Sequence, residues 1–241
     1  MTLSTDDASP ARTMPGILRP IEHLSRALVT GAVLLLAVLL FGLFLSKSTA
    51  VTAVDLGIDR SLSRLQVVPV TGIARAVYTL FSPPGAIALT VVAALIIWAT
   101  SRNWRSALTF SVVVAGSWVS SDVVKMLVHR PRPAAAALAH PYLPTPVDSS
   151  FPSGHVVFAA SIAIAFMFLA RNAARRALVV GAGVIGALLT AFAVVYLGVH
   201  YPTDAIASLV WAIGACPLVL AVWNRFVMPR IRRAPVATLK G

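Results

Sequence analysis

Residues 27–46 read ALVTGAVLLLAVLLFGLFLS, twenty residues without a charge between Arg26 and Lys47. A helix rises about 1.5 Å per residue, so a run of this length crosses a hydrocarbon core of about 30 Å. It is longer than the apolar core of a signal peptide, and Asp6 and Asp7 weaken a basic leader ahead of it. A membrane-spanning helix is therefore the reading of this stretch.

Five further uncharged or nearly uncharged runs follow, at 85–101, 106–128, 154–170, 177–199 and 205–224. Asp122 and Lys125 lie near the far end of the third. Pro83-Pro84 opens the second. The composition agrees: 58% of the 241 residues are hydrophobic and 12% are charged, where a soluble domain has about 25% charged. So little polar surface excludes a water-soluble globule, a disordered chain and a coiled coil, and a single Cys excludes a disulfide scaffold. The expected fold is all-α, a polytopic six-helix membrane bundle at 27–224. A polar tail, 1–26, precedes it and a basic tail, 225–241, follows.

The net charge of +12 sorts by topology. With both termini cytoplasmic, thirteen Lys and Arg fall on the inner side and seven on the outer, in accord with the positive-inside rule. No nucleic-acid partner is needed to explain them. Leaving out Lys125, Arg130 and Arg132 makes the division thirteen to four with the same orientation. Outside, Ile58, Leu62, Leu65 and Val68 recur at helical spacing, which predicts a short helix lying on the membrane surface or packed on the bundle.

Three clusters of ionisable residues fall at the outer ends of different spans: Lys125 to Pro133, Phe151 to His155, and Tyr196 to Asp204. Each alone has a plain reading. Lys125 and Arg132 snorkel, Ser153 caps a helix, and His200 and Asp204 pair one turn apart. Together they have the makings of a phosphate site. Arg132 offers a planar fork and Lys125 a point charge. Ser153 and Gly154 stand at a helix start, where free amides and the dipole attract an anion. The pattern allows His200 to attack phosphorus, Asp204 to hold its other ring N–H, and His155 to protonate the leaving oxygen and then activate water. Cations carry the transition-state charge, so no metal or other cofactor is required. Asp122, three residues before Lys125, is a candidate partner for it. Cys216 reads as a small core residue.

On these residues the chain resembles the type 2 phosphatidic acid phosphatase family, membrane lipid phosphate phosphatases related to soluble bacterial acid phosphatases and vanadium haloperoxidases. The family's first motif, Lys, six residues, Arg-Pro, stands at Lys125 to Pro133. Its second, Pro-Ser-Gly-His, is intact at Pro152 to His155. Of its third, His200 and Asp204 match, whereas the Ser-Arg pair is Ala193-Val194. The family's phosphate-binding Arg is thus missing, and Arg130 is no evident compensation.

The resemblance implies a six-span enzyme of the plasma (inner) membrane with an outward-facing site and a phosphohistidine intermediate. The family's substrates include phosphatidic acid, phosphatidylglycerol phosphate and polyprenyl diphosphate, here embedded in membrane lipid. Two alternatives stand beside hydrolysis: phosphoryl transfer to an acceptor on the same site, and lipid-phosphate binding or transport with weakened turnover.

Overall fold

The structure is a computed structural model and describes residues 24–170 and 172–233. Every regular element among them is helical: α1 Leu24–Leu45, α2 Thr49–Arg64, α3 Val68–Leu80, α4 Pro83–Ser101, α5 Trp104–Val128, α6 Gly154–Leu169, α7 Ala173–Tyr196 and α8 Pro202–Val222. A π-helical turn, Trp223–Val227, leads into α9, Met228–Arg233. The expected spans correspond to α1, α4, α5, α6, α7 and α8. Five of these are long and apolar enough to cross a membrane, while α6 is apolar but only 16 residues long. The chain stays helical past the expected boundary at Asn224. The N-terminal tail through residue 23, and residues 234–241 of the C-terminal tail, lie outside the described residues.

Local chemistry sets the helix ends. Asn103 and Asn172 side chains accept the amides of Arg105 and Arg175 and so cap α5 and α7. Pro83 and Pro202 begin α4 and α8, where a missing N–H costs nothing. α8 packs against α1, α5 and α6, and α6 against α5, α7 and α8. Phe110, Val113, Val114, Phe158, Cys216 and Leu220 fill the central cluster. A Cβ on Gly31 would stand 2.9 Å from the Gly214 carbonyl, so α1 and α8 approach closely only because both positions lack one.

In the outer layer the apolar stripe, Leu62 apart, does not pack on the bundle, and the alternative of a helix lying on the membrane surface is the one that its exposure fits. The segment forms two helices, and α2 turns its polar face inward. Asp55, Asp59 and Ser63 are buried, whereas Ile58, Leu65 and Val68 are exposed. Leu62 alone of the apolar stripe packs against a core cluster. The inversion has an electrostatic cause. The buried guanidinium of Arg130 lies 2.8 Å from Asp55 Oδ2 and 2.6 Å from Asp204 Oδ1. It also donates to Thr203 Oγ1 at 2.8 Å and covers the Tyr201 ring at 4.3 Å. One cation thus joins α2 to the start of α8.

Asp59, one turn beyond Asp55, is fully buried with no partner for either oxygen. Burial first, then the Asp55 and Asp204 charges, push its carboxyl up to about 8, against the pull of Arg130. It is therefore protonated at neutral pH. The folded chain keeps a proton that the unfolded chain releases near pH 3.8. This group's contribution to stability is thus full below that value and is lost as pH rises through about 8. Asp59→Asn should flatten the fall in melting temperature between about pH 4 and 8 and raise it above that range. Parallel melting curves in detergent for the two proteins would reject this. Arg130→Ala leaves two buried carboxylates without their cation, and should cost about 3–5 kcal/mol in reversible unfolding in detergent.

Candidate active site

α5 ends at Val128, and His129 adopts a left-handed conformation with φ 51°. The helix therefore does not continue to Arg132. The following loop folds back and seats Arg132 beside the α7–α8 turn. Arg132 Nη1 donates to the Val199 carbonyl at 2.5 Å and stands 3.1 Å from His200 Nε2. Its Nη2 meets Asp148 Oδ1 at 2.7 Å, and Lys125 Nζ meets Asp148 Oδ2 at 2.6 Å. Lys125 thus pairs with Asp148 rather than with Asp122. The two cations converge, and each is held on one oxygen of the same carboxylate. Burial alone would raise the Asp148 pKa. The hydrogen bond and charge of Lys125, with those of Arg132, outweigh it and hold the carboxyl down at about 2.

The turn carrying His200 depends on Gly198, whose φ of 67° suits a residue without a Cβ. The amides of Val199 and His200 both donate to the Val194 carbonyl, at 3.1 and 3.3 Å. His200 is fully buried. Its Nδ1 lies 2.7 Å from the Ser150 carbonyl. A carbonyl only accepts, so Nδ1 carries the hydrogen and Nε2 presents its lone pair on the Arg132 side. Burial, then Arg132, Lys125 and His155, hold the His200 pKa well below 6.5, so the imidazole is neutral at pH 7.

Here the geometry corrects the expected hydrogen bond. Asp204 Oδ2 is 3.7 Å from His200 Nδ1 and accepts the Tyr201 amide at 3.0 Å, while Oδ1 accepts from Arg130 Nη1 at 2.6 Å. The Ser150 carbonyl fixes the tautomer, and Asp204 stands behind it as a charge.

The third part is the start of α6. Ser153 is its N-cap, and the Ser153 amide donates to Ser208 Oγ at 2.8 Å. Ser208 Oγ donates in turn to the Asp204 carbonyl at 2.6 Å. Ser153 Oγ and His155 Nε2 are buried without any partner. Such groups are costly to leave unpaired, and both lie where the sequence places an anion. A Cβ on Gly154 would stand 3.4 Å from Trp118 Nε1. The His155 ring stacks on Tyr78.

Val194 is fully buried in an apolar cluster with Val156 and Ala205, so no cation enters from that position. Arg130, bound to two carboxylates, does not replace it. Three contributors escape the sequence reading. Ser150 acts through a backbone carbonyl and leaves no side-chain signal. Asp148 and Asp55 are acids whose partners lie 23 and 75 residues away; only their rarity among eight acids could have marked them.

A multi-pass helical bundle with a cluster of cations and histidines at one end is the class that this fold and site define. The chain belongs to the PAP2 superfamily, whose family profile matches residues 106–228. It is 31% identical over 123 residues to an undecaprenyl-diphosphatase, BcrC, of Bacillus subtilis (strain 168), covering 51% of this chain and 61% of that protein. It is 32% identical over 130 residues to an undecaprenyl-diphosphatase of Sulfolobus acidocaldarius, covering 53% and 58%. The matched part is thus about six-tenths of each relative. The crystal structure of a transmembrane PAP2-type phosphatidylglycerolphosphate phosphatase from Bacillus subtilis superposes with a TM-score of 0.67 at 21% identity, over 86% of this chain and 99% of that one. It shares the fold.

A phosphate that draws on Lys125 and Arg132 competes with Asp148, which stays ionised throughout the neutral range. Asp148→Asn should therefore tighten binding of orthovanadate or inorganic phosphate by roughly tenfold at pH 7, the effect of about 1.4 kcal/mol. Calorimetry in detergent reads this directly, and unchanged affinity would show that the carboxylate does not compete.

Proposed function

We propose that this chain is an integral-membrane lipid diphosphate phosphatase that works through a phosphohistidine on His200, with its site on the extracytoplasmic side. The observation that carries this reading is the His200 ring: Nδ1 bound to a carbonyl, Nε2 unprotonated and 3.1 Å from a guanidinium. A neutral, oriented imidazole beside a cation is what attack on a phosphate needs. The names of the relatives support a polyprenyl diphosphate as substrate. The thirteen-to-seven charge division supports six spans, with both termini and the tails flanking 27–224 inside.

In the reaction, Nε2 forms a bond to the terminal phosphorus and the bond from phosphorus to the leaving oxygen breaks. His155, protonated on both ring nitrogens when the anionic substrate is bound, gives that oxygen the proton on Nε2, the nitrogen that is unpartnered in the resting site, and is left neutral. His155 then takes a proton from water, whose oxygen attacks phosphorus and releases phosphate and neutral His200. Lys125, Arg132, Ser153 Oγ and the Gly154 amide stabilise the added negative charge. With Val194 in place of an Arg, these groups carry that charge alone.

Val194 is also the observation that favours a second reading, a lipid-phosphate binding protein with little turnover. One panel separates the two. Phosphate release from undecaprenyl diphosphate, phosphatidic acid and phosphatidylglycerol phosphate should be measured for the wild type, His200→Ala and His155→Ala. The diphosphate should be cleaved best, His155→Ala should lose about 10²–10⁴ in kcat, and His200→Ala should fall to background. Release by His200→Ala equal to wild type would reject the mechanism. Tight binding without release by the wild type would select the second reading.

A further inference from the structure

His155 has an unusual support. Its Nε2 is buried with no protein partner, so no hydrogen bond from that nitrogen holds the ring at its working angle. An imidazole on the first turn of a helix turns about χ2 over a broad range unless something restrains it. Tyr78 restrains it in two ways: its backbone carbonyl lies within hydrogen-bonding reach of the imidazole, and its side chain offers a flat surface. The Tyr78 ring lies parallel to the imidazole, with centroids 4.1 Å apart and planes 14° apart.

Tyr78 is itself backed. Tyr142, from the loop between α5 and α6, abuts it edge-on at 5.0 Å and 63°. The Arg75 guanidinium lies over the Tyr142 ring, 5.6 Å from its centroid. Tyr78 also packs on the cluster built from the end of α7, which includes Tyr196 and Val199. α3 is thereby fixed to the turn that carries His200. Tyr78 lies on α3, outside the segment 106–228 that matches the family profile, and none of the three sequence motifs contains it.

We propose that Tyr78 is a positioning residue for His155: its ring sets the plane of the imidazole so that Nε2 is presented edge-on to the leaving oxygen. This rests on the acid–base role given to His155 above. The ring face does the positioning and the hydroxyl does not. Phe therefore fills the role, whereas an aliphatic side chain of similar bulk lets the imidazole turn away. Misalignment of a proton donor acts on the chemical step and leaves substrate affinity almost unchanged.

The experiment uses the full chain in detergent, with Tyr78→Phe and Tyr78→Leu made alone and with His155→Ala. Tyr78→Met, unbranched and without a ring, replaces Leu if that variant does not fold. Release of phosphate from undecaprenyl diphosphate should give Tyr78→Phe a kcat within about threefold of wild type. Tyr78→Leu should lose about 10- to 100-fold in kcat with KM nearly unchanged. In the His155→Ala background the same Leu substitution should cost less than about twofold, because the group it positions is gone. An equal loss in both backgrounds, or no loss in either, overturns the proposal.

A second measurement is independent of turnover. Carbethoxylation of His155 by diethylpyrocarbonate, followed by peptide mass spectrometry, should be several-fold faster in Tyr78→Leu than in wild type or Tyr78→Phe. Equal rates in all three overturn the stacking role whatever the enzyme does. Faster labelling in a wild-type background that releases no phosphate would keep the positioning and reject the phosphatase reading.

Discussion

The buried Arg130 guanidinium is the interaction on which the outer half of this molecule depends. It stands at the end of α5, reaches Asp55 on α2 and Asp204 on α8, and lies over Tyr201. A cation so deeply buried is tolerable only when paired and hydrogen-bonded. Two acids from different elements meet that need, and satisfying it fixes where those elements sit. The inward polar face of α2 follows, and so does the outward position of Ile58 and Leu65. The orientation of Asp204 follows as well, and through it the surroundings of His200.

The site built on this frame separates two kinds of charge. Arg130 is neutralised by carboxylates and is structural. Lys125 and Arg132 share one half-exposed carboxylate, Asp148, and can be turned toward another anion at lower cost, since a partly solvated pair is held less firmly than a buried one. The two histidines divide similarly. His200 is fully buried, and its tautomer is settled by the Ser150 carbonyl. His155 has an unpartnered nitrogen and is restrained by an aromatic face. This division suits the proposed roles: a nucleophile needs a fixed lone pair, whereas a group that gives and later takes a proton must present one nitrogen free of competing bonds.

Much of this was legible in residue order. Span positions follow from uncharged runs, because an apolar helix of about 20 residues has few other places to go. The seven site candidates, Lys125, Arg132, Ser153, Gly154, His155, His200 and Asp204, stand at span ends on one side, and the fold brings them into one region. The contacts among them were less legible. The His200–Asp204 spacing points to a direct hydrogen bond, yet the Ser150 carbonyl takes Nδ1 and Arg130 takes Asp204. Asp122 is the nearer acid to Lys125 in sequence, yet it is exposed on α5, while the loop delivers Asp148 to the ammonium.

Sequence by itself therefore determined the class of fold, the apolar helices, the three motifs and the absence of a cation at position 194. These are properties of single elements, decided by length, hydropathy and residue type. Tertiary structure alone decided which acid each cation takes, which face of α2 is buried, and that a ring from α3 lies against His155. Pairings between elements far apart in the chain depend on how charges and rings are matched once water is excluded. That competition among partners is settled in three dimensions and leaves no periodic trace in the sequence.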